Sequence, residues 1–513
     1  MLWAKRIDYI LLVLYIAIFV ATRLPGLGTD TINPDAVNWH YRSEQFVVGL
    51  KTLALEKTYQ HYHPGVTLMW IVGPTVELIK QLSPTDRVYN QHNFIVFHTF
   101  SKYSLVFVQL MLSFVVIYLL SLIFDNKLAI FATALFTLEP FFLGNARLLH
   151  LDVLLSLTLF AGLLASFVAA KMNNFWLMLL AGILLGLAFL TKSIAVGGLG
   201  FVLIFGTFLS WLESGRVSAM KYVFAVLLSF AATTIILFPA MWVKPAEVLV
   251  NIFDEAERVG IRKGHGQIVL GEYSRDPGVL FYLLVLLLKT SPVAILGVGI
   301  YLFAMVRKAP AAVKNITELA KNPLFYLSVF YVGYLVVMTY PAKKLDRYTI
   351  PEFPYLALIA VCGYFEVKKR WSLVGALLPV LLTLGFIAYP VVALYPYYFT
   401  YTNPLFGSAK AANALVAQKP FGIAVPQLKE FVLANYGYYP KLGFVDTKPM
   451  KAIYPNSRVF DIRVYGGGSY DLVILGPNEE LPEELANGDH AFVFDRALHI
   501  NGLEYWRIYV KQK

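Results

Sequence analysis

Residues 145–171 read NARLLHLDVLLSLTLFAGLLASFVAAK. The stretch 151–170 is apolar over about the 20 residues that a membrane-spanning helix needs, and its one carboxylate, Asp152, stands at the start. A charge at the centre of such a helix costs about 2.5–3.5 kcal/mol, and less near an interface. Asp152 therefore marks the rim of a span. A second carboxylate, Asp35, lies in a polar stretch just after the first apolar run.

Composition extends this reading to the whole chain. Its 513 residues are 58% hydrophobic and 15% charged, with a mean hydropathy of +0.62. A soluble chain of this length needs far more charge to cover its surface, so a polytopic membrane protein is expected. The single cysteine, Cys362, excludes an intrachain disulfide and says nothing of compartment. Tyr9 to Thr22 follows Lys5 and Arg6 and imitates a signal peptide, but Thr22-Arg23-Leu24-Pro25 gives no small-residue cleavage site, so a retained signal anchor is expected. The net charge of +11 is spread through short loops, the pattern of a topology signal. No motif of a nucleic-acid reader accompanies it, and no nucleic-acid partner is expected.

Apolar runs occur at 8–23, 101–124, 128–144, 151–170, 175–191, 194–212, 222–240, 279–306, 322–340, 352–366 and 372–395, which predicts about eleven transmembrane helices. Threading them from a cytoplasmic N-terminus puts Lys5/Arg6, Lys127, Lys171, Arg216/Lys221, Arg307/Lys308/Lys314/Lys321 and Lys368/Lys369/Arg370 inside. Every inner segment is then basic, as the positive-inside rule requires. The expected organisation is a transmembrane catalytic domain over 1–395, with large outer loops at 24–100 and 241–278, and an extracytoplasmic α/β domain over 396–513.

In the first outer loop, Asn33 and Pro34 suit a helix start, with Trp39, Phe46, Leu50 and Leu53 on one face. Such a helix is suited to lying on the outer leaflet. His63 to Leu82 is apolar but broken by Pro64, Gly65, Gly73 and Pro74, and reads as re-entrant or interfacial. Beyond about 396 the composition is that of a soluble domain. Strands are expected at 471–475, 491–495 and 503–510, with a turn at Asn501-Gly502, and a helix over 427–436.

The topology gathers Asp35, Asp152, Lys192, Arg275 and the run Lys343-Lys344-Leu345-Asp346-Arg347-Tyr348 at the outer face. Outer loops are poor in cations, so Lys192 and the 343–347 cluster break the rule that located them and call for an anionic ligand or headgroup. Asp35, in the first turn of a helix, is stabilised by the helix dipole whatever its role. The same placement suits a general base for an acceptor hydroxyl. Asp152 has two readings, an internal pair with Arg147 or His150 and a second acid that orients the acceptor or helps hold a metal. Lys192 either snorkels to headgroups or joins Lys343, Lys344 and Arg347 around a phosphate. His61-Tyr62-His63 and His265 read as loop residues before metal ligands. No Walker or dinucleotide loop, Asp-x-Asp pair or Gly-x-Ser-x-Gly elbow is present, which favours a donor already in the membrane over a nucleotide.

At these residues the chain resembles the GT-C superfamily of integral-membrane glycosyltransferases, and within it the dolichyl-phosphate-mannose protein mannosyltransferase and aminoarabinose transferase group. The motifs that carry the likeness are Pro34-Asp35, Arg147 to Asp152, Gly186-Leu-Ala-Phe-Leu-Thr-Lys192, Lys344-Leu-Asp-Arg-Tyr-Thr-Ile-Pro351 and Tyr398 to Gly407. The resemblance implies a GT-C fold in a cell membrane. It implies an inverting transfer from a polyprenyl-phosphate-linked sugar to a hydroxyl acceptor, with Asp35 as base and Asp152 on the acceptor side. Lys192, Arg347, Lys344 and Tyr348 would bind the donor phosphate. No cofactor follows with certainty, and a divalent metal stays open. The chain departs from the group at one point, because Ala36 follows Asp35 where an Asp-Glu pair is usual. That leaves the acceptor class open among protein, lipid and glycan. A transporter or flippase of lipid-linked sugars is the alternative, but the spans show no repeat and the unusual charges sit at the rim rather than the midplane. A non-catalytic scaffold would leave Lys192 and Arg347 unexplained.

Overall fold

A computed structural model of the chain describes residues 2–83, 90–261, 266–312, 316–370, 372–489 and 491–512. Every apolar run predicted above falls on helix. At the centre stands Asp152–Met172, whose 18-residue apolar window has a mean hydropathy of 2.3 and is wholly buried. A helix that is apolar all round belongs inside a bundle. Phe94–Ser121, Phe175–Thr191 and Thr207–Leu237 pack around it. The last two approach closely at Gly182, where an added Cβ would lie 2.4 Å from the Val226 carbonyl oxygen. Small residues permit such contact where lipid supplies no hydrophobic drive. At the buried centre of the bundle, Ser166 Oγ is bonded to the hydroxyls of Tyr222 and Tyr326 at 2.7 Å each.

Two predicted spans are bent. Asn126–Leu138 and Pro140–Ala146 meet at 73°, and Phe281–Lys289 and Pro292–Arg307 at 115°. The bends face each other. Ser291 donates its backbone N–H (2.9 Å) and its hydroxyl (2.5 Å) to the Glu139 carboxylate, so groups freed by one break are satisfied at the other. Among the described residues, three helices are long and apolar enough to cross a membrane alone, or five if each bent pair is one span. Phe175–Thr191, Pro323–Thr339 and Pro379–Ala393 are apolar but shorter.

The helix predicted after Asn33 is Pro34–Lys51. Its apolar face does not lie open to lipid. Trp39 and Phe46 are buried against Val66–Leu82, the helix formed by the Pro- and Gly-broken stretch. Gly65 starts that helix at φ +60°, and a Cβ there would collide with the Trp39 ring at 2.2 Å. Leu53 departs from the expected face, because the helix ends at Lys51 and Leu53 is 81% exposed at φ +56°.

Beyond residue 400 the chain forms a five-stranded sheet. The strands are β3 (Leu442–Phe444), β4 (Val459–Asp461), β5 (Leu472–Leu475), β6 (Phe492–Ile500) and β7 (Leu503–Lys511), while β1 (Gln267–Val269) and β2 (Glu272–Ser274) form a separate hairpin. The sheet order is β4-β3-β5-β7-β6, with β3 parallel to β4 and β5 and the rest antiparallel. Asn501 and Gly502, at φ +49° and +83°, make the expected tight turn between β6 and β7. Val425–Tyr436 is the expected helix.

Candidate active site

Five elements converge on one network of charges. Asp35 sits in the first turn of Pro34–Lys51. Asp152 opens the central helix and Lys192 ends Phe175–Thr191, its N–H bonded to the Ala188 carbonyl. Arg347 and Tyr348 lie on the 3-10 turn Asp346–Thr349. His150 comes from the loop between Ala146 and Asp152. That loop is fixed by Arg147, which donates from Nε to Asp30 Oδ2 (2.9 Å), from Nη1 to the Thr22 and Arg23 carbonyls and from Nη2 to the Pro25 carbonyl. Asp30 also accepts from Lys102 Nζ at 2.9 Å. Arg147 is thus Asp30's partner, and His150 and Lys192 are those of Asp152.

The distances define a tight arrangement. Asp35 Oδ2 lies 3.0 Å from both His150 Nε2 and Arg347 Nη2. Asp152 Oδ1 accepts from Lys192 Nζ at 2.5 Å, while its Oδ2 lies 2.8 Å from His150 Nδ1 and 3.3 Å from Arg347 Nε. Lys192 Nζ stands 4.6 Å from the centre of the Tyr348 ring. Burial alone would raise the pKa of Asp35, but the hydrogen bond with His150 and the charge of Arg347 outweigh it and hold the carboxyl far below the usual range. Arg347 moves the other way, for burial lowers its pKa and the two carboxylates more than restore it. Burial pushes the Tyr348 hydroxyl up to about 12, against the opposing effect of Arg347.

Asp152, Lys192, Tyr348 and Lys343 are among the residues that line a cavity of about 640 Å³. Leu155, Val196, Phe253, Val337 and Met338 give it apolar walls. Asp35 lies beyond the His150–Arg347 layer, with 35% of its side chain exposed. Lys344 points elsewhere. Its buried Nζ donates to Asp276 at 2.6 Å and to the Pro341 carbonyl, and its neighbour Lys343 is the lysine that lines the cavity.

His63 also lines the cavity, and burial, then Lys192, holds its pKa well below the usual value. His61 is lowered to about 4 by burial and Arg42. His265 lies outside the described residues. Among the described residues no group of three or more His, Cys, Asp or Glu side chains converges to hold a metal ion. Asp35 and Asp152 face Arg347, Lys192 and His150, a donor set that does not fit a divalent cation.

His150 entered the sequence reading only as one possible partner of Asp152, and its spacing from Asp152 (i, i+2) was the available signal. Phe421, whose ring lies 4.8 Å from Arg347 Cζ, left no such signal.

No protein-family model matches the chain, and no curated protein matches it in sequence. Solved structures do match in shape. The apo crystal structure of ArnT from Cupriavidus metallidurans aligns over 97% of both chains at 11% identity, with a TM-score of 0.51. The structure of ArnT bound to undecaprenyl phosphate aligns over 97% of both at 14% identity and 0.48. The oligosaccharyltransferase AglB from Archaeoglobus fulgidus, in complex with an inhibitory peptide and a dolichol-phosphate, aligns over 93% of this chain and 70% of its own at 10% identity and 0.46. The likeness to apo ArnT, together with the helical bundle described above, shows that the chain has the GT-C fold.

Proposed function

We propose that the chain is an inverting glycosyltransferase that moves a sugar from a polyprenyl-phosphate donor to a hydroxyl acceptor. The observation that carries this reading is the cavity, whose lining combines the cations Lys192 and Lys343 with apolar walls from Leu155, Val196, Phe253 and Met338. Its ligand needs an anionic head on a hydrocarbon body. A polyprenyl phosphate has both, and ArnT, whose fold the chain shares, has a structure with undecaprenyl phosphate bound.

In the reaction, the acceptor oxygen forms its bond to the anomeric carbon as Asp35 takes the hydroxyl proton. The bond from that carbon to the phosphate oxygen breaks, and its electron pair leaves with the polyprenyl phosphate. Lys192, Lys343 and Arg347 stabilise the charge that grows there, and Tyr348 stays protonated and donates. Asp152 acts on the donor side in this scheme: it holds Lys192, His150 and Arg347 in place. The basic segments support a cytoplasmic N-terminus, about eleven crossings, and an active site and 396–513 domain on the far side.

Membranes carrying the chain, incubated with radiolabelled polyprenyl-phosphate sugars, test the reading. Label is expected to pass to a protein, lipid or polymer fraction. Label that stays on every donor offered overturns it.

A further inference from the structure

Arg347 meets Asp35 and Asp152 through the edge of its guanidinium, and its carbon lies over the ring of Phe421. Phe421 belongs to the segment that leads from residue 419 into the helix Val425–Tyr436. The backbone there is unusual, with Phe421, Gly422 and Ala424 at φ +46°, +69° and +56°. Such conformations persist only where the surroundings over-determine them.

The surroundings do so from two sides. On one, the Ile32 N–H donates to the Gly422 carbonyl (3.1 Å), the Ala424 N–H to the Asp30 carbonyl (2.8 Å) and Gln427 Nε2 to the Thr29 carbonyl (3.0 Å). On the other, Trp506 Nε1 donates to the Ile423 carbonyl and the Tyr505 hydroxyl to that of Pro420. A Cβ on Gly422 would lie 1.9 Å from the Ile32 carbonyl oxygen, so only glycine allows this approach. Phe399 stacks on Phe421 at 5.3 Å and 16°. The segment therefore grips residues 29–32, just before Asp35, and sets a fixed ring on Arg347. It locates the base and its cation together.

We propose that Phe421 is a positioning residue for glycosyl transfer, holding the Arg347 guanidinium against Asp35 and Asp152, and that through it the region carrying the C-terminal sheet is part of the active site. The inference rests on the functional reading above. A ring face attracts a partly desolvated guanidinium and stops the side chain from swinging away.

The test compares full-length wild type with Phe421→Leu, which keeps an apolar side chain without a ring, and Phe421→Tyr, which keeps the face. Undecaprenyl-phosphate sugar is the donor. Phe421→Leu should lower kcat about tenfold, the loss of one desolvated cation–π contact, with donor KM within about twofold of wild type and an unchanged melting temperature. Phe421→Tyr should restore kcat. If Phe421→Leu does not fold, Phe421→Met serves the same comparison. Wild-type kcat in a ring-less variant, or a Tyr variant no better than Leu, overturns this inference alone. A wild-type chain that transfers from no donor overturns the functional reading and this inference with it.

Discussion

Asp35 and Asp152 are joined through one imidazole: His150 Nε2 lies 3.0 Å from Asp35 Oδ2, and its Nδ1 lies 2.8 Å from Asp152 Oδ2. The ring is hydrogen-bonded to Asp35 through Nε2 and packs its Nδ1 against Asp152, which holds two like charges at a fixed separation. Hydrogen bonds to charged groups contribute about 1.5–3 kcal/mol. His150→Ala should therefore lower kcat about 10- to 100-fold, measured as initial rate of label transfer at saturating donor. A rate within twofold of wild type would remove His150 from the working site.

Asp35→Asn tests the base directly. The amide keeps the shape and the contact with His150 but takes no proton, so kcat should fall by about 10²–10⁴. Binding of undecaprenyl phosphate should hold, because Asp35 does not line the cavity. Near-normal turnover would rule out the base assignment.

The pH profile should carry a sign. Asp35 is held far below the usual carboxylate range, after burial, by His150 and Arg347. It stays ionised through mildly acidic pH, and the wild-type rate should show no acid limb from this group near pH 4. Arg347→Gln removes one of the charges that depress it, so the acid limb of the residual rate should move to higher pH. A profile that keeps its shape in the variant would show that Arg347 does not set the ionisation of Asp35.

Lys343 and Lys344 should separate. Lys343 lines the cavity, and Lys343→Met should raise donor KM. Lys344 is buried and bonded to Asp276 and the Pro341 carbonyl. Lys344→Met should act first on stability, lowering the melting temperature in detergent, with donor KM nearly unchanged in the folded fraction. The reverse pattern would return Lys344 to the phosphate.

Much of this arrangement was legible in the sequence for one physical reason. Apolar runs and basic loops respond to the membrane residue by residue, so the helices and the exceptions Lys192 and Arg347 stood out without knowledge of any contact. What stayed hidden depends on direction. Two adjacent lysines differ only in where an irregular loop points them, and no local pattern says that Lys343 turns to the cavity. Phe421 meets Arg347 across the fold, in a backbone conformation that its side chain does not favour. The three-residue parallel strands Leu442–Phe444 and Val459–Asp461 are too short to show an alternation.

Asp30 gives the last prediction, and it concerns stability. It is buried between Lys102 and Arg147, each 2.9 Å away. Burial would raise its pKa, but those two cations outweigh it, so the folded pKa lies below the unfolded one. A carboxylate shifted in that direction contributes its full stabilisation above the unfolded pKa and loses it as pH falls through the folded value. Melting temperature should therefore decline steeply below about pH 4. Asp30→Asn leaves two buried cations without their counter-charge, which costs about 3–5 kcal/mol. The same substitution should flatten the acid decline, because the group whose titration drives it is gone. Thermal melts of wild type and Asp30→Asn from pH 3 to 7 decide the matter: parallel curves would mean that Asp30 is not the acid-sensitive group, and an unchanged melting temperature that the buried triad does not hold the segment before Asp35.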